Sequence, residues 1–347
     1  MYGIITYKIK LGGEPVPEKP YTPPYSVTDA MIHLVAEISE QVGVVTVKNE
    51  SAVNPHLRRD NQIRTIHSSL AIENNSLSLE QMTDVIHGKR VLGAPKEIRE
   101  VKNAYEAYNL LLSFDPCHID DLLKAHKILM LELTNESGRF RSGGAGVFAG
   151  SELVHMAPPA ELVPKLISDL LHWVKNADTH PLIKSCLFHY EFEFIHPFAD
   201  GNGRMGRMWQ TLLLSRWKPV FHWLPVETLI RERQNKYYKV LALADKAADS
   251  TAFIEFMLRV IRDSLRELIQ TEQVREQVTE QVERLMMVLG NEILSAKELL
   301  ERLGLKHRPT FSINYLRPAL ELGLIEMTVP DKPNSSRQKY RAIKKTK

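Results

Sequence analysis

With 347 residues, 44% of them hydrophobic, and a formal net charge of +3, the chain has the composition of a soluble protein with more than one domain. Two cysteines, Cys117 and Cys186, exclude a disulfide framework and indicate free thiols in a reducing compartment. The N-terminus lacks the order of a signal peptide and no apolar run could span a bilayer, so we expect a cytoplasmic protein.

The N-terminal part of the chain predicts helices. Pro15 to Pro24 is rich in proline and predicts an extended lead-in. A first helix is expected from near Thr28, because apolar residues recur on one face: Met31, Leu34, Val35, Ile38 and Val42. Ser78-Leu-Glu-Gln81 is a capping box that opens another helix.

Between these two, the segment from Asn54 to Glu73 predicts an amphipathic helix, with apolar Leu57, Ile63, Ile66 and Leu70. Ser69 and Glu73 lie one turn apart near its C-terminal end. A carboxylate is mildly unfavourable there. Glu73 therefore either pairs with a cation from elsewhere or is a solvated surface residue.

The next informative segment is rich in glycine. Gly138-Arg-Phe-Arg141 and Ser142-Gly-Gly-Ala-Gly146 break any helical period, and Glu152-Leu-Val-His-Met156 predicts a short strand. A hairpin with a free edge fits this pattern, and a plain surface loop is the alternative.

A helix over Ile183 to Phe194 precedes a short loop that contains several polar residues suited to chemistry. Pro197 makes continuation beyond His196 unfavourable, so His196 is expected where the helix ends. Gly201-Asn-Gly203 then permits a tight loop, and a new helix opens near Met205. The free N–H groups at its start predict an anion site.

The polar side chains in and after this loop each suit a specific chemical role in handling a nucleotide. Asp200 is the loop's one carboxylate, and nucleotide-bound Mg²⁺ typically takes one or two. Arg204 and Arg207 lie three apart on the new helix and suit phosphate groups. His196 has the side chain suited to a general base. Taken singly these residues are usually structural, but jointly they are hard to assign to packing.

The C-terminal portion predicts a separate unit. A repeat over Thr271 to Val282 suits a connecting helix. Helices over Ser295–Gly304 and Pro309–Leu322, with strands over 323–328 and 338–343, indicate a winged helix-turn-helix. The charge at this end is basic, which suits DNA, although such tails are often only solvated and winged helices also dock proteins. The basic residues are Arg308, Arg317, Arg337, Lys339, Arg341, Lys344, Lys345 and Lys347.

The segment from His196 to Arg207 resembles the Fic-domain signature His-Pro-Phe-x-Asp/Glu-Gly-Asn-Gly-Arg-x-x-Arg at every fixed position. The resemblance extends from the N-terminal helices to near Gln270, and implies a mainly α protein with a Fic-type helical core and a short β-hairpin flap. The domains expected are an N-terminal helical region over 1–95, with an inhibitory helix over about 54–74, the core over 96–270, and a linker helix with a winged helix-turn-helix over 271–347.

The resemblance also implies an activity and the residues that perform it. Fic proteins move AMP from ATP onto a Tyr, Thr or Ser hydroxyl of a protein and release pyrophosphate. His196 would deprotonate the hydroxyl and Asp200 would bind Mg²⁺. The ATP contacts implied are Gly201, Asn202, Gly203 and Gly206 around the α-phosphate, Arg204 on the β-phosphate and Arg207 on the γ-phosphate.

Three further assignments follow from the resemblance. Ser69-Leu-Ala-Ile-Glu73-Asn74 matches the Fic inhibitory motif, in which the Glu would pair with Arg207 and also lie at the ATP site. Residues Arg231 to Tyr238 are expected on one helix, where a tyrosine at 237 or 238 would lie beside the base, and Tyr238 is our choice. The hairpin would add a target segment as a strand through Gly146, Val147, Phe148, Leu153, Val154 and His155.

Two functions of different class are thus predicted. The first is an autoinhibited protein adenylyltransferase that uses ATP and Mg²⁺, modifies target proteins or itself, and forms a homodimer as its relatives often do. The second is a nucleotide-sensing DNA-binding regulator or docking module with little turnover. The intact His196 favours the first, since a sensor needs no base. The sequence does not decide whether the chain also removes AMP.

Overall fold

A computed structural model describes residues 21–52, 55–149, 152–332, 335 and 337–343 of the chain. Within these ranges the protein is mainly helical, as predicted. Its contacts group the chain into two compact units, residues 1–266 and residues 267–347. The helices assigned to a separate region over 1–95 share the first unit with the core, and the three-way division stays a prediction.

Helices joined by short turns build the first unit. Their bounds are α1 Asp29–Ala52, α2 Pro55–Ile72, α3 Leu79–Ile86, α4 Pro95–Asn109, α5 Ile119–Leu129, α6 Val163–Asn176, α7 Pro181–Ile195, α8 Asn202–Trp217, α9 Val226–Glu232, α10 Gln234–Ala247 and α11 Thr251–Leu289, whose residues 267–289 belong to the second unit. Short 3₁₀ turns occur at Leu111–Ser113, Ala160–Leu162 and Pro219–His222. Of the predicted lead-in, residues 15–20 lie outside the described residues.

Helix ends follow local signals in the sequence. Ser78 caps α3 with the predicted box, in which its Oγ accepts from the Gln81 N–H and Gln81 Oε1 accepts from the Ser78 N–H. One prediction is wrong: Arg231 to Tyr238 is not a single helix. The chain leaves helical geometry at Arg233, at φ −106° and ψ 24°, where the guanidinium pairs with Asp263 at 2.8 Å.

Helices α7 and α8 form the centre of the first unit. Nearly every residue of α7 is buried, which is typical of a helix enclosed by others. The two helices approach closely at Gly206, where a Cβ would lie 2.9 Å from Glu193 Oε1 and 3.4 Å from Phe192 Cδ1. Gly206 is therefore needed for helix packing. Helix α2 packs against α4, α8 and α9, which places its C-terminal end near the start of α8.

The glycine-rich segment forms the predicted hairpin. Strand β1, Gly146–Ala149, pairs antiparallel with β2, Glu152–Met156, so that Gly146 lies opposite Met156. The register shifts between Val147 and Phe148, as in a β-bulge. The side chains of residues 147–155 lie outside the described residues.

The second unit has its own hydrophobic core. Its elements are β3 Leu294–Ser295, α12 Ala296–Arg302, α13 Arg308–Phe311, a π-helical turn Ser312–Leu316, α14 Arg317–Glu321, β4 Ile325–Met327 and β5 Lys339–Ala342. The strands form an antiparallel sheet in the order β3-β5-β4. Leu285, Leu299 and Phe311 are among the buried residues. This order agrees with the predicted winged helix-turn-helix, and β3 is a strand that the sequence pattern did not reveal.

Both cysteines are free thiols. Cys186 is buried, and burial raises its pKa to about 12, whereas Cys117 is only half-buried. No helix in the described part of the chain combines the length and apolarity that a membrane span requires.

Candidate active site

The predicted base, His196, lies at the end of α7. Its backbone is left-handed, at φ 49° and ψ 60°, and Pro197 follows, so the helix stops there. The imidazole is half-buried, with Nδ1 at 3.4 Å from the Glu193 carbonyl oxygen. A proton on Nδ1 shared with this carbonyl leaves the ring lone pair on Nε2, the tautomer that a general base requires.

The loop after His196 is closed by the side chain of Asn202. Asn202 is buried, its Oδ1 accepts from the Phe198 N–H at 2.8 Å, and its Nδ2 donates to the Phe198 carbonyl at 2.8 Å. Gly201 takes φ 87°, and a Cβ there would lie 2.7 Å from Met130 Sδ. Because the Asn202 amide holds the loop, its contact with an α-phosphate stays a prediction.

The start of α8 provides backbone donors beside this loop. The first hydrogen bond inside the helix runs from the Met205 N–H to the Gly201 carbonyl, so the N–H groups of residues 202–204 have no acceptor within the helix. Such a terminus favours an anion. The structure thereby places these N–H groups where the loop sequence predicts an anion site, which we call the cradle; binding of an anion there stays a prediction.

The first motif arginine, Arg204, is buried between two carboxylates. Its Nη2 donates to Asp200 Oδ1 at 2.9 Å, and its Nη1 lies 3.4 Å from Glu100 Oε1 on α4. Its Nε is buried and lacks a hydrogen-bond partner among the described residues. A buried donor without an acceptor is costly, so Arg204 can still accept an anionic ligand.

The second motif arginine, Arg207, is held by the C-terminal end of α2. Its Nε donates to Ser69 Oγ at 3.1 Å, and its Nη2 donates to the Ser69 carbonyl at 3.0 Å and to Glu73 Oε1 at 2.7 Å. Arg207 is 2% exposed, whereas the Glu73 side chain is 34% exposed. The predicted cation for Glu73 is therefore Arg207, and the solvated-surface alternative does not hold.

Two neighbours set the position of the Glu73 carboxylate. Asn74 takes φ 67° directly after the helix, a conformation that Asn tolerates better than most residues, which accounts for Asn in the motif. Gly203 leaves the space that the carboxylate fills, since a Cβ at this position would overlap Glu73 Oε1. The acid thus lies directly over the start of α8.

A buried histidine that the sequence analysis missed supports the loop. His126 on α5 has its Nε2 3.0 Å from the Asp200 carbonyl oxygen, and its Nδ1 accepts from the Gly138 N–H at 2.9 Å. The accepting Nδ1 places the ring proton on Nε2, which therefore donates to Asp200. Burial lowers the His126 pKa to about 4, so the ring is neutral at pH 7. In the sequence, only the expected turn at Gly138, whose N–H binds His126, could have indicated this contact.

A second missed residue, Arg141, ties the hairpin to the loop. It is 4% exposed, its Nε donates to the His196 carbonyl at 2.7 Å, and its N–H donates to the Pro197 carbonyl at 2.9 Å. Its Nη atoms donate to the carbonyls of Gly143 and Pro158, at 2.8 Å and 2.5 Å, just outside the two strands. One guanidinium therefore fixes the hairpin relative to His196.

The two tyrosines of α10 have different surroundings. Tyr237 is buried, and its hydroxyl donates to His189 Nε2 at 3.0 Å, with Nδ1 of that ring 2.7 Å from Gln210 Oε1. Tyr237 is thus a core residue. Tyr238 is half-buried, and burial followed by the Glu73 carboxylate raises its pKa. This location agrees with the choice of Tyr238 beside the site, and its contact with a base stays a prediction.

The residues present fit a nucleotide-bound Mg²⁺. Among the described residues no group of three His, Cys, Asp or Glu side chains could hold a metal by itself. The Asp200 side chain is 48% exposed, so its carboxylate oxygens are accessible beside the cradle. One such carboxylate with phosphate oxygens is a usual magnesium environment, and Asp200 is the residue that would hold the ion.

The chain matches two family models. Residues 116–214 match the Fic/DOC family, and residues 280–342 match the "Filamentation induced by cAMP protein Fic-like, C-terminal domain". A solved structure of a Fic family protein from Desulfovibrio desulfuricans G20 is 57% identical, with a TM-score of 0.73, and the match covers 94% of this chain and 100% of that one. The Fic-1 structure from C. elegans (aa134 - 508), at 21% identity and a TM-score of 0.58 over 71% of this chain and 72% of that one, shares the fold.

Curated proteins are similar over a shorter stretch. "Protein adenylyltransferase fic-1" of Caenorhabditis elegans is 28% identical over 229 residues, which are 61% of this chain and 42% of that protein. "Protein adenylyltransferase Fic" of Nematostella vectensis is 30% identical over 205 residues, 56% of this chain and 45% of that protein. This chain therefore spans less than half the length of these relatives.

The Arg141 contacts predict a coupling between hairpin and loop. Arg141→Met leaves buried carbonyls unpaired, at about 1–3 kcal/mol for each, so we expect amides over 145–157 to exchange at least about tenfold faster. Hydrogen exchange by mass spectrometry measures this. Arg139→Met, two residues earlier at an exposed position, is the control. Equal protection of the hairpin in the two variants would contradict the assignment.

Proposed function

The chain belongs to the Fic family, and from this membership we propose that it is an autoinhibited protein adenylyltransferase. It moves AMP from ATP onto a Tyr, Thr or Ser hydroxyl of a target protein or of itself and releases pyrophosphate. The observation that supports the proposal is the set of contacts at the start of α8, where Arg204 donates to Asp200 and Arg207 to Glu73, with His196 at the other end of the same short loop. The names of the curated relatives support the same activity.

The proposed reaction begins with proton transfer to His196. Nε2 takes the proton of the target hydroxyl, whose oxygen attacks the α-phosphorus of ATP. A new O–P bond forms, the bond from the α-phosphorus to the bridging oxygen breaks, and pyrophosphate leaves with that electron pair. His196 then releases its proton to the pyrophosphate or to water. The hairpin, fixed to the His196 carbonyl by Arg141, would deliver the hydroxyl by strand addition.

The nucleotide would be bound by backbone and charge. The N–H groups at the start of α8 face the α-phosphate, Arg204 the β-phosphate and Arg207 the γ-phosphate. Mg²⁺, when bound, neutralises part of the phosphate charge, and Asp200 would hold it. The Asp200 carbonyl is fixed by His126, so the loop position does not depend on the ion. Gly206, which packs against α7, supports this geometry indirectly.

Inhibition follows from competition for one guanidinium. Glu73 holds Arg207 at 2.7 Å, and the overlap at Gly203 indicates that its carboxylate lies over the phosphate cradle. A γ-phosphate would have to displace this acid, because both are anions that need the same donors. Loss of Glu73 frees a charged contact of about 1.5–3 kcal/mol for the nucleotide.

The proposed location is the cytoplasm, and the proposed assembly is a homodimer. A cytoplasmic location agrees with the buried free thiol of Cys186. Family resemblance suggests a homodimer, in which one copy modifies the other.

We predict that Glu73→Gly raises AMP transfer from labelled ATP by about tenfold or more, because one charged contact is worth about that factor. Labelling of lysate proteins and of the chain itself measures this. Glu80→Gly, at an exposed position of α3, should leave the rate near wild type, and adding His196→Ala to Glu73→Gly should remove the label. Equal rates for Glu73→Gly and wild type would contradict the inhibition. If neither the wild type nor Glu73→Gly transfers label, the nucleotide-sensor alternative is favoured.

A second candidate function concerns the second unit. Residues 306–347 contain ten Lys or Arg against three Asp or Glu, although the whole chain has a net charge of only +3. On the segment from α13 to α14, Arg308 and Arg317 are exposed, and so are Arg337 and Lys339 at β5. Arg341 pairs with Glu326 at 2.5 Å. Lys344, Lys345 and Lys347 lie outside the described residues. This pattern supports contact with duplex DNA.

If the basic residues of the second unit contact DNA, the full chain binds a labelled DNA duplex with an affinity that falls as the salt concentration rises. Arg308→Ala/Arg317→Ala should reduce the slope of log K against log salt by about two, since each phosphate contact contributes about 0.9. Fluorescence anisotropy measures the slope. Lys96→Ala/Lys239→Ala removes the same charge from exposed positions of the first unit and should leave the slope unchanged. Equal slopes in the two double variants would rule out DNA contact by these arginines.

A further inference from the structure

A buried carboxylate on α4 links the inhibitory segment to the first motif arginine. Glu100 is 8% exposed, and its Oε1 lies 3.4 Å from Arg204 Nη1. Its Oε2 accepts from Asn75 Nδ2 at 2.8 Å. Asn75, two residues after Glu73, is itself buried and also donates to the Glu97 carbonyl at 3.2 Å. Glu100 is therefore fixed on one side by the chain that carries Glu73 and faces Arg204 on the other.

The two acids beside Arg204 are not equivalent. The Asp200 side chain is 48% exposed, whereas that of Glu100 is 10% exposed. Water and salt screen the Asp200 pair more strongly than the buried Glu100 pair, even though the Asp200 pair has the shorter distance. Under the proposed function Asp200 would also hold Mg²⁺. Glu100 is then the carboxylate left to orient the Arg204 guanidinium.

We propose that Glu100 is a positioning residue that keeps the Arg204 guanidinium directed at the second phosphate of the nucleotide. This role rests on the proposed function, in which Arg204 binds the β-phosphate. The buried Arg204 Nε, without a partner among the described residues, marks a donor that such a ligand would satisfy. A guanidinium already oriented by Glu100 loses less freedom when the phosphate binds.

If Glu100 orients Arg204, the loss of nucleotide affinity on changing Glu100 depends on how many phosphates the nucleotide carries. ADP has a β-phosphate for Arg204, whereas AMP has none. Weakening the hold on Arg204 should therefore lower ADP affinity and leave AMP affinity unchanged. A carboxylate that only stabilises the fold would affect both nucleotides alike.

The test uses the full chain with Glu73→Gly, so that Glu73 does not compete with the ligands. Isothermal titration with ADP and with AMP, both with Mg²⁺, is compared before and after Glu100→Gln, which keeps the shape and removes the charge. We expect ADP to bind about tenfold more weakly and AMP to change less than about twofold. Glu97→Gln is the matched control, because Glu97 lies one turn earlier on α4 and accepts from the Ser76 N–H. Its ADP affinity should be unchanged.

A double-variant cycle shows whether Glu100 acts through Arg204. In Arg204→Ala, adding Glu100→Gln should cause no further loss of ADP affinity. An additive loss, equal losses for ADP and AMP, or unchanged ADP binding would each overturn the role. If Glu100→Gln does not fold, as judged by thermal unfolding, Asn75→Ser tests the same link and should weaken ADP by about threefold without affecting AMP. A Glu73→Gly chain that binds neither nucleotide would instead overturn the proposed function.

Discussion

The ion pair between Glu73 and Arg207 holds the C-terminal end of α2 against the start of α8. Arg207 is almost fully buried, and a buried guanidinium is strongly destabilising without partners. Burial opposes its charge, yet the Glu73 carboxylate raises the Arg207 pKa above its ordinary value, so the charge persists at any physiological pH. The end of α2 therefore stays at the start of α8 until another anion replaces the acid.

The loop between α7 and α8 is held from two sides. On one side, the segment from Ser69 to Asn75 reaches Arg207 directly and Arg204 through Glu100. On the other side, His126 and Arg141 hold the loop carbonyls together with the hairpin. A nucleotide bound in this cradle would meet donors that folding has already oriented.

How much could be predicted from the sequence depended on how local each signal was. The helix before His196, the glycine loop and the capping box at Ser78 follow from neighbouring residues, so their positions were predicted closely. His126, Arg141 and Glu100 were missed because their contacts with Asp200, His196 and Asn75 span 25 or more residues, which no local pattern reveals. The Glu73 partner was found only through family resemblance. The break at Arg233 was missed because an ion pair, without Gly or Pro, accompanies it.

The competition between Glu73 and ATP for Arg207 is measured by the affinity for ATP relative to ADP, because Arg207 is the residue assigned to the third phosphate. In the wild type, where Glu73 occupies Arg207, we expect the affinity for ATP to lie within about twofold of that for ADP. In Glu73→Gly, ATP should bind about tenfold more tightly than ADP, and adding Arg207→Ala should remove this gain. A wild-type chain that already prefers ATP over ADP by the same factor would show that Glu73 does not withhold Arg207 from the nucleotide.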